Sequence, residues 1–185
     1  MNDALFPFEE LRGIIRSRRK KALERNVNYK LFGSILKTTL IIAAFILFFN
    51  TWFGFKIVHG NGMFPALSDG DLTIVYQEKS YIKNDVVFFT VNGKEFVGRV
   101  VAKGGDLVDI TENGDLLVNG TRQSGEIVYK TFPRDSWEGQ IEIPNGTVFI
   151  LGDNRSNSYD SRDFGCVPIA DINGKIIAFA RHRGI

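Results

Sequence analysis

From Thr38 to Phe55 the chain reads TTLIIAAFILFFNTWFGF, a run of 18 residues without a charge. As a helix rising about 1.5 Å per residue it spans roughly 27 Å, close to the hydrocarbon thickness of a bilayer. Leu31 to Leu36 extend the run at one end, and Trp52, Phe53 and Phe55 suit a membrane interface at the other. A buried core helix would compete with this reading, but the run is apolar on every side, more than one small domain could cover. A cleaved secretory signal competes too. The stretch is longer than a usual signal core, however, and FGFKIVHG after it offers no small-residue cleavage pattern. An uncleaved transmembrane helix over residues 31–55 is the expectation.

Charge gives that helix a direction. Residues 1–37 hold nine of the chain's 23 basic residues and four of its 21 acidic ones, so the remainder is mildly acidic. A basic arm over residues 1–30 could face nucleic acid or anionic lipid. Lying directly before an apolar span, with no nucleic-acid motif after it, this arm is expected to face lipid and no nucleic acid. The positive-inside rule then keeps the N-terminus cytoplasmic and places residues 56–185 outside, on a single-pass protein of the cell membrane. Leu11, Ile14, Ile15 and Leu23 among the charges suggest a short amphipathic or partly disordered arm.

After the span the periodicity changes. LTIVY, DVVFFTV, KEFVGRVVA, LVDI, DLLVN, EIVYKTF, TVFIL and KIIAFA are short, rich in Val, Ile and Phe, and separated by Gly, Asn and Asp. Sixteen Phe and 19 Gly against five Pro agree with a mainly β unit of antiparallel sheets. Glu112-Asn113-Gly114-Asp115 carries the clearest hairpin cue, since Asn-Gly supplies the positive φ angles of a tight turn. A second Asn-Gly follows at 119–120. Asn119 and Asn145 each begin an Asn-Gly-Thr glycosylation pattern, which turn formation explains without sugar. Residues from about 107 to 150 are expected to form a small β insertion. Within it Asp135-Ser136-Trp137-Glu138-Gly139 reads as a loop, with Trp137 in the insertion's core. One cysteine, Cys166, excludes an internal disulfide, and His59 and His182 belong to no metal-binding motif, so neither metal nor cofactor is implied.

Three segments stand apart: GNGMFPALSDGD at 60–71, VGRVVAKGGDLV at 97–108 and GDNRSNSYDSRDFG at 152–165. Any one of them could be an ordinary loop. Their order and spacing resemble the type I signal peptidase family, which carries Ser-Met-x-Pro-[Thr/Ala]-Leu-x-x-Gly-Asp after its anchor. Lys-Arg-Val-x-x-x-x-Gly-Asp and a long Gly-Asp-Asn-Arg segment then follow. Met63, Pro65, Leu67, Gly70 and Asp71 match the first segment; Arg99, Val100, Gly105 and Asp106 match the second. Gly152 to Arg155, Ser158, Asp160 to Arg162, Phe164 and Gly165 match the third.

The resemblance implies a signal-peptidase-like fold and a serine nucleophile activated by a lysine base, a two-residue variant of the catalytic triad. Such a lysine must be neutral near pH 7, which needs an apolar pocket. Here the aligned nucleophile position is Gly62 and the aligned base position is Gly98. Gly60 falls where some members place a serine that helps hold the oxyanion. Ser68, Lys94 and Lys103 are displaced by four to six residues, roughly 13 to 20 Å along an extended chain, leaving His59 and Ser158 as substitutes. Ser158 matches a serine that contacts the family's lysine, and Asp160 with Arg162 resembles a supporting ion pair, read as solvent-exposed loop charges. Arg99 and Asp153 join that supporting frame.

Met63, Phe64, Pro65 and Leu67 sit where the family forms an apolar edge beside its substrate, so peptide binding without cleavage is expected. Catalytically dead relatives accompany pilus genes in some Gram-positive bacteria. The resemblance therefore implies a chaperone-like factor whose partners are pilin or other secreted segments, near sortase machinery. An active serine endopeptidase with an altered residue set and a purely structural anchor are the alternatives.

Overall fold

The computed structural model describes residues 8–78, 80–123, 129–134, 137 and 139–181. Helix α1 runs unbroken from Phe8 to Trp52, and its stretch Leu11–Trp52 is long and apolar enough to cross a membrane. The arm is thus helical from Phe8, in place of the short or partly disordered segment expected. Lys, Arg, Glu and Leu are good helix formers, and after Pro7 no proline occurs before Pro65. The helix also stops three residues before the expected boundary at 55. Phe53 and Phe55, read as interface residues of the span, belong to a strand instead.

Among the described residues eleven strands follow: β1 (Phe53–Ile57), β2 (Leu72–Tyr76), β3 (Val86–Val91), β4 (Lys94–Lys103), β5 (Leu107–Ile110), β6 (Leu116–Val118), β7 (Thr121–Arg122), β8 (Ile141–Glu142), β9 (Thr147–Leu151), β10 (Val167–Pro168) and β11 (Ile172–Ala180). Seven of them form one sheet in the order β1-β2-β11-β3-β4-β9-β10, and the other four form a second in the order β7-β6-β5-β8. All pairs are antiparallel. This mainly β architecture is the expected one. The insertion is the second sheet, but its strands span residues 107–142. The boundary near 150 moves because Thr147–Leu151 pairs with β4 in the main sheet.

Two hairpins turn on Asn-Gly pairs with both residues at positive φ: Asn92-Gly93 (51° and 75°) between β3 and β4, and Asn119-Gly120 (53° and 73°) between β6 and β7. At 113–114, the cue singled out from sequence, only Gly114 takes positive φ. That connection is a longer loop, closed by Gly114 N–H on Thr111 O and Thr111 N–H on Asp115 O, each at 2.9 Å. EIVYKTF is not the strand expected. Its described part, Tyr129 to Phe132, holds no ladder position, and Thr131 N–H donates to Gly114 O instead. Residues 126–128, Asp135, Ser136, Glu138 and His182 lie outside the described residues.

The two sheets share a core. Val101, Ala102, Phe149 and Leu151 of the larger pack with Val108, Ile110, Leu116 and Val118 of the smaller. Trp137 joins them edge-on to Phe149, ring centroids 6.0 Å apart, as expected for an insertion core residue. A second cluster holds Val87, Phe89, Val100, Val148 and Ile150, and a third holds Val58, Met63, Leu67, Val75 and Phe88. Fully burying each Phe removes enough apolar surface from water to contribute about 2–3 kcal/mol.

Asp106 ties the sheets together at their corner. Its carboxylate accepts from Lys103 N–H at 2.9 Å and from the Asn119 amide at 2.8 Å, while Asn119 Oδ1 accepts from Leu107 N–H at 2.8 Å. Burial pushes the Asp106 pKa upward, but these bonds and the nearby lysines outweigh it and hold it below its ordinary value. A folded-state value below the unfolded one means the contribution is present above about pH 4 and lost as pH falls through the folded value. Asp106→Ala is expected to cost up to about 1 kcal/mol at pH 7, the bonds being partly open to water, and to flatten the fall in stability below pH 4. Denaturant unfolding across pH 3–7 reads both.

Candidate active site

The first motif segment forms the long β1–β2 connection, closed by Val58 N–H on Asp71 O and Gly70 N–H on Val58 O, both at 2.9 Å. Gly60 has φ of +81°, a conformation that side chains rarely adopt, so glycine suits the turn itself. Its N–H donates to Asp69 Oδ1 at 2.7 Å. Phe64 N–H bonds Asn61 O and Leu67 N–H bonds Met63 O, winding residues 61–67 into tight turns with a cis peptide at Phe64-Pro65. This winding divides the peptide-contact candidates. Phe64 and Pro65 face solvent, whereas Met63 and Leu67 are core residues, 1% and 3% exposed. Those two act from beneath the turn. Its outer side is held by Arg181, which sequence reasoning passed over: Nη2 donates to Pro65 O at 3.1 Å and Ala66 O at 3.0 Å.

The third segment packs directly against this turn. Gly62 O accepts from Asn154 N–H at 2.9 Å, and Asn61 O accepts from the Asn154 side-chain amide at 3.2 Å. Gly152 has to be glycine here, since a Cβ would stand 2.6 Å from Gly62 O and collide with Ser158 Cβ. Asp153 grips Arg99 through both oxygens (2.8 and 2.6 Å), and Arg99 Nη1 reaches Asn84 O at 3.0 Å. Of the expected supporting frame, Arg99 and Asp153 thus form one pair, while Ser158, Asp160 and Arg162 are bonded to one another in a separate cluster.

Asp160 and Arg162 are not the solvent-exposed loop charges expected. Their side chains are 2% and 1% exposed, because the loop folds back under β9 instead of out into water. Asp160 caps the short helix α2 (Ser161–Phe164) and accepts from five donors: Gly152 N–H, Ser158 Oγ, and the backbone N–H, Nε and Nη2 of Arg162. Arg162 also donates to Phe132 O, Arg155 O and Ser158 Oγ. Arg155 is buried beside them, bonded to Gly152 O and Thr131 Oγ1. Burial, against the pull of Asp153, brings its pKa down to about 10, so it is charged at pH 7. Thr131 gave no sequence signal; it lies in a segment whose pattern reads as strand.

Gly62 lies beside Ser158, and Gly98 beside Ile150 and Leu151 at the end of β9. At Gly62 there is room: a Cβ would meet Ser158 Cβ at 3.7 Å, an ordinary contact. Gly98 is buried in β4, opposite Val87, with Arg99 beside it opposite Leu151. A Cβ on Gly98 would overlap Ile150 Cγ2 and come within 3.2 Å of Phe89 Cε1. Of the substitutes, Lys94 and Lys103 are exposed at opposite ends of β4, and His59 is exposed. Ser158 lies beside Gly62, its Cβ 3.7 Å from where a Cβ on Gly62 would stand, and donates to Asp160 Oδ2 at 2.6 Å. Asp160 makes a poor base for it, because taking a proton would disrupt a carboxylate already committed to five donors.

The fold and site define a class: a peptidase-like β unit preceded by a helix able to span a membrane. The family model described as "Signal peptidase, peptidase S26" matches residues 31–180, and the chain belongs to that family. A signal peptidase I of Bacillus caldolyticus is 35% identical over 137 residues, covering 65% of this chain and 75% of that protein. A probable thylakoidal processing peptidase 2 of Arabidopsis thaliana is 32% identical over 136 residues, covering 66% of this chain and 36% of its own length. A crystal structure of a signal peptidase I from Enterococcus faecalis V583 matches with a TM-score of 0.44 and 26% identity, over 54% of this chain and 98% of that one.

Proposed function

We propose that this chain is a non-cleaving member of the signal peptidase family, anchored by α1 with its N-terminus in the cytoplasm. In this reading it holds an extended segment of a secreted protein, a pilin subunit being the partner of choice, near the sortase machinery. One observation carries the reading: both positions that would bear the nucleophile and the base are glycine, inside a frame whose other members remain paired. The space beside Gly98, where a base would need its aliphatic stem, is filled by Ile150 and Phe89. Recognition would use the exposed Phe64 and Pro65, which a passing extended strand can cover while its main chain bonds to the turn.

The first test is cleavage. The full chain in detergent is incubated with a signal-peptide substrate, and product formation sinks the proposal. The second is capture. Phe64→Asp puts a charge on a surface ring that supports no core, so folding is preserved while pilin retention in a pulldown is expected to fall at least tenfold. Unchanged retention would leave the alternative of a structural anchor without a groove.

A further inference from the structure

Gly98 is more than a missing side chain, because its neighbourhood has closed over the position. We infer that Ile150 seals position 98, so that a side chain can return there only after the branch methyl of Ile150 is removed. This rests on the reading of position 98 as the former base position.

Three restraints fix Ile150 where it is. It is wholly buried, it lies opposite Val100 in the β4–β9 ladder, and its N–H donates to Ser161 Oγ at 2.9 Å. Neither backbone nor surface offers it an exit. Being β-branched it has a stiff χ1, so Cγ2 cannot swing aside cheaply. On its other side Phe89, 1% exposed, packs on Phe96 and Phe164 with centroids 5.9 and 5.8 Å away, and cannot retreat either. A Cβ on Gly98 therefore meets two immobile groups. Gly62 differs, since the nearest atoms a Cβ would meet there are at ordinary contact distance. The two glycines are unequal: one can be replaced directly, the other only after a neighbour changes.

The chemistry of the atom involved gives a sharp test. Leucine keeps the volume of isoleucine but has no methyl branching from Cβ, whereas valine is smaller yet keeps the branch. Thermal unfolding of the full chain in detergent micelles is compared for Gly98→Ala alone and combined with Ile150→Leu or Ile150→Val. Gly98→Ala is expected to lower Tm by roughly 5–10 °C. Adding Ile150→Leu recovers at least half of that loss relative to Ile150→Leu alone, and adding Ile150→Val recovers none. A Gly98→Ala protein that melts like the unmodified one overturns the inference, as does equal recovery by both partners. If Gly98→Ala does not fold, a folded Gly98→Ala/Ile150→Leu protein supports the seal and an unfolded one overturns it. Cleavage of signal peptide by the unmodified chain, measured on the same preparation, would instead reject the proposed function and leave the packing result standing.

Discussion

A signal-peptide substrate held with the unmodified full-length chain is expected to stay intact, with turnover on the order of a million-fold below an active serine peptidase. That factor corresponds to about 8 kcal/mol of transition-state stabilisation, the amount lost when nucleophile or base is removed. On the proposed reading, glycine at 62 and 98 would remove both, and the losses would not add because the two groups act as one unit. Among the described residues, Ser158 is the candidate nucleophile that lies beside Gly62. Its hydroxyl lies on a carboxylate already bound by Arg162 and by two backbone N–H groups, which makes that carboxylate a poor base for its proton. Gel or mass-spectrometric detection of cleaved product decides the matter. Should product appear, Ser158→Ala separates the cases: abolished cleavage would move the nucleophile to Ser158, and unchanged cleavage would point to a different residue.

Much of the architecture is readable from residue order because it depends on local periodicity. LTIVY is β2, TVFIL is β9, and the Asn119-Gly120 turn sits where the pair predicts. The errors come where non-local pairing overrides local pattern. Phe53 and Phe55 are as apolar as the span before them, and only their pairing with Tyr76 and Ile74 makes them strand. Tyr129 to Phe132 has strand composition but finds no partner strand, its backbone going to Gly114 instead. The site was legible as a set of positions and not as a state of burial. Motif spacing identifies Met63, Leu67, Asp160 and Arg162, yet nothing in it says that Met63 and Leu67 point inward or that the ion pair is sealed from water. Ile150 carries no motif signal at all. Its role follows from β4–β9 register and the side on which Cγ2 falls.

Arg162→Ala is expected to destabilise the β unit by about 3–5 kcal/mol, because it leaves Asp160 charged and buried without its partner. Domains of this size are stable by only about 5–15 kcal/mol, and Tm should fall by about 6 °C or more, at roughly 2–8 °C per kcal/mol. Arg162→Lys should rescue little. The guanidinium engages both Asp160 oxygens, Ser158 Oγ and the carbonyls of Arg155 and Phe132, a fork that one ammonium cannot reproduce. Pairing Arg162→Met with Asp160→Asn removes both charges at once and should recover part of the loss. Calorimetry on the three variants measures this, and a loss under 1 kcal/mol for Arg162→Ala would mean the pair is not sealed. The outcome bears on how the third segment is interpreted. If the pair holds β9, the 152–158 loop and α2 together, then folding alone requires GDNRSNSYDSRDFG, and its presence carries no weight as a sign of cleavage. A separate bond, Asn154 N–H on Gly62 O at 2.9 Å, joins the third segment to the first-segment turn, and it needs no side chain at position 62.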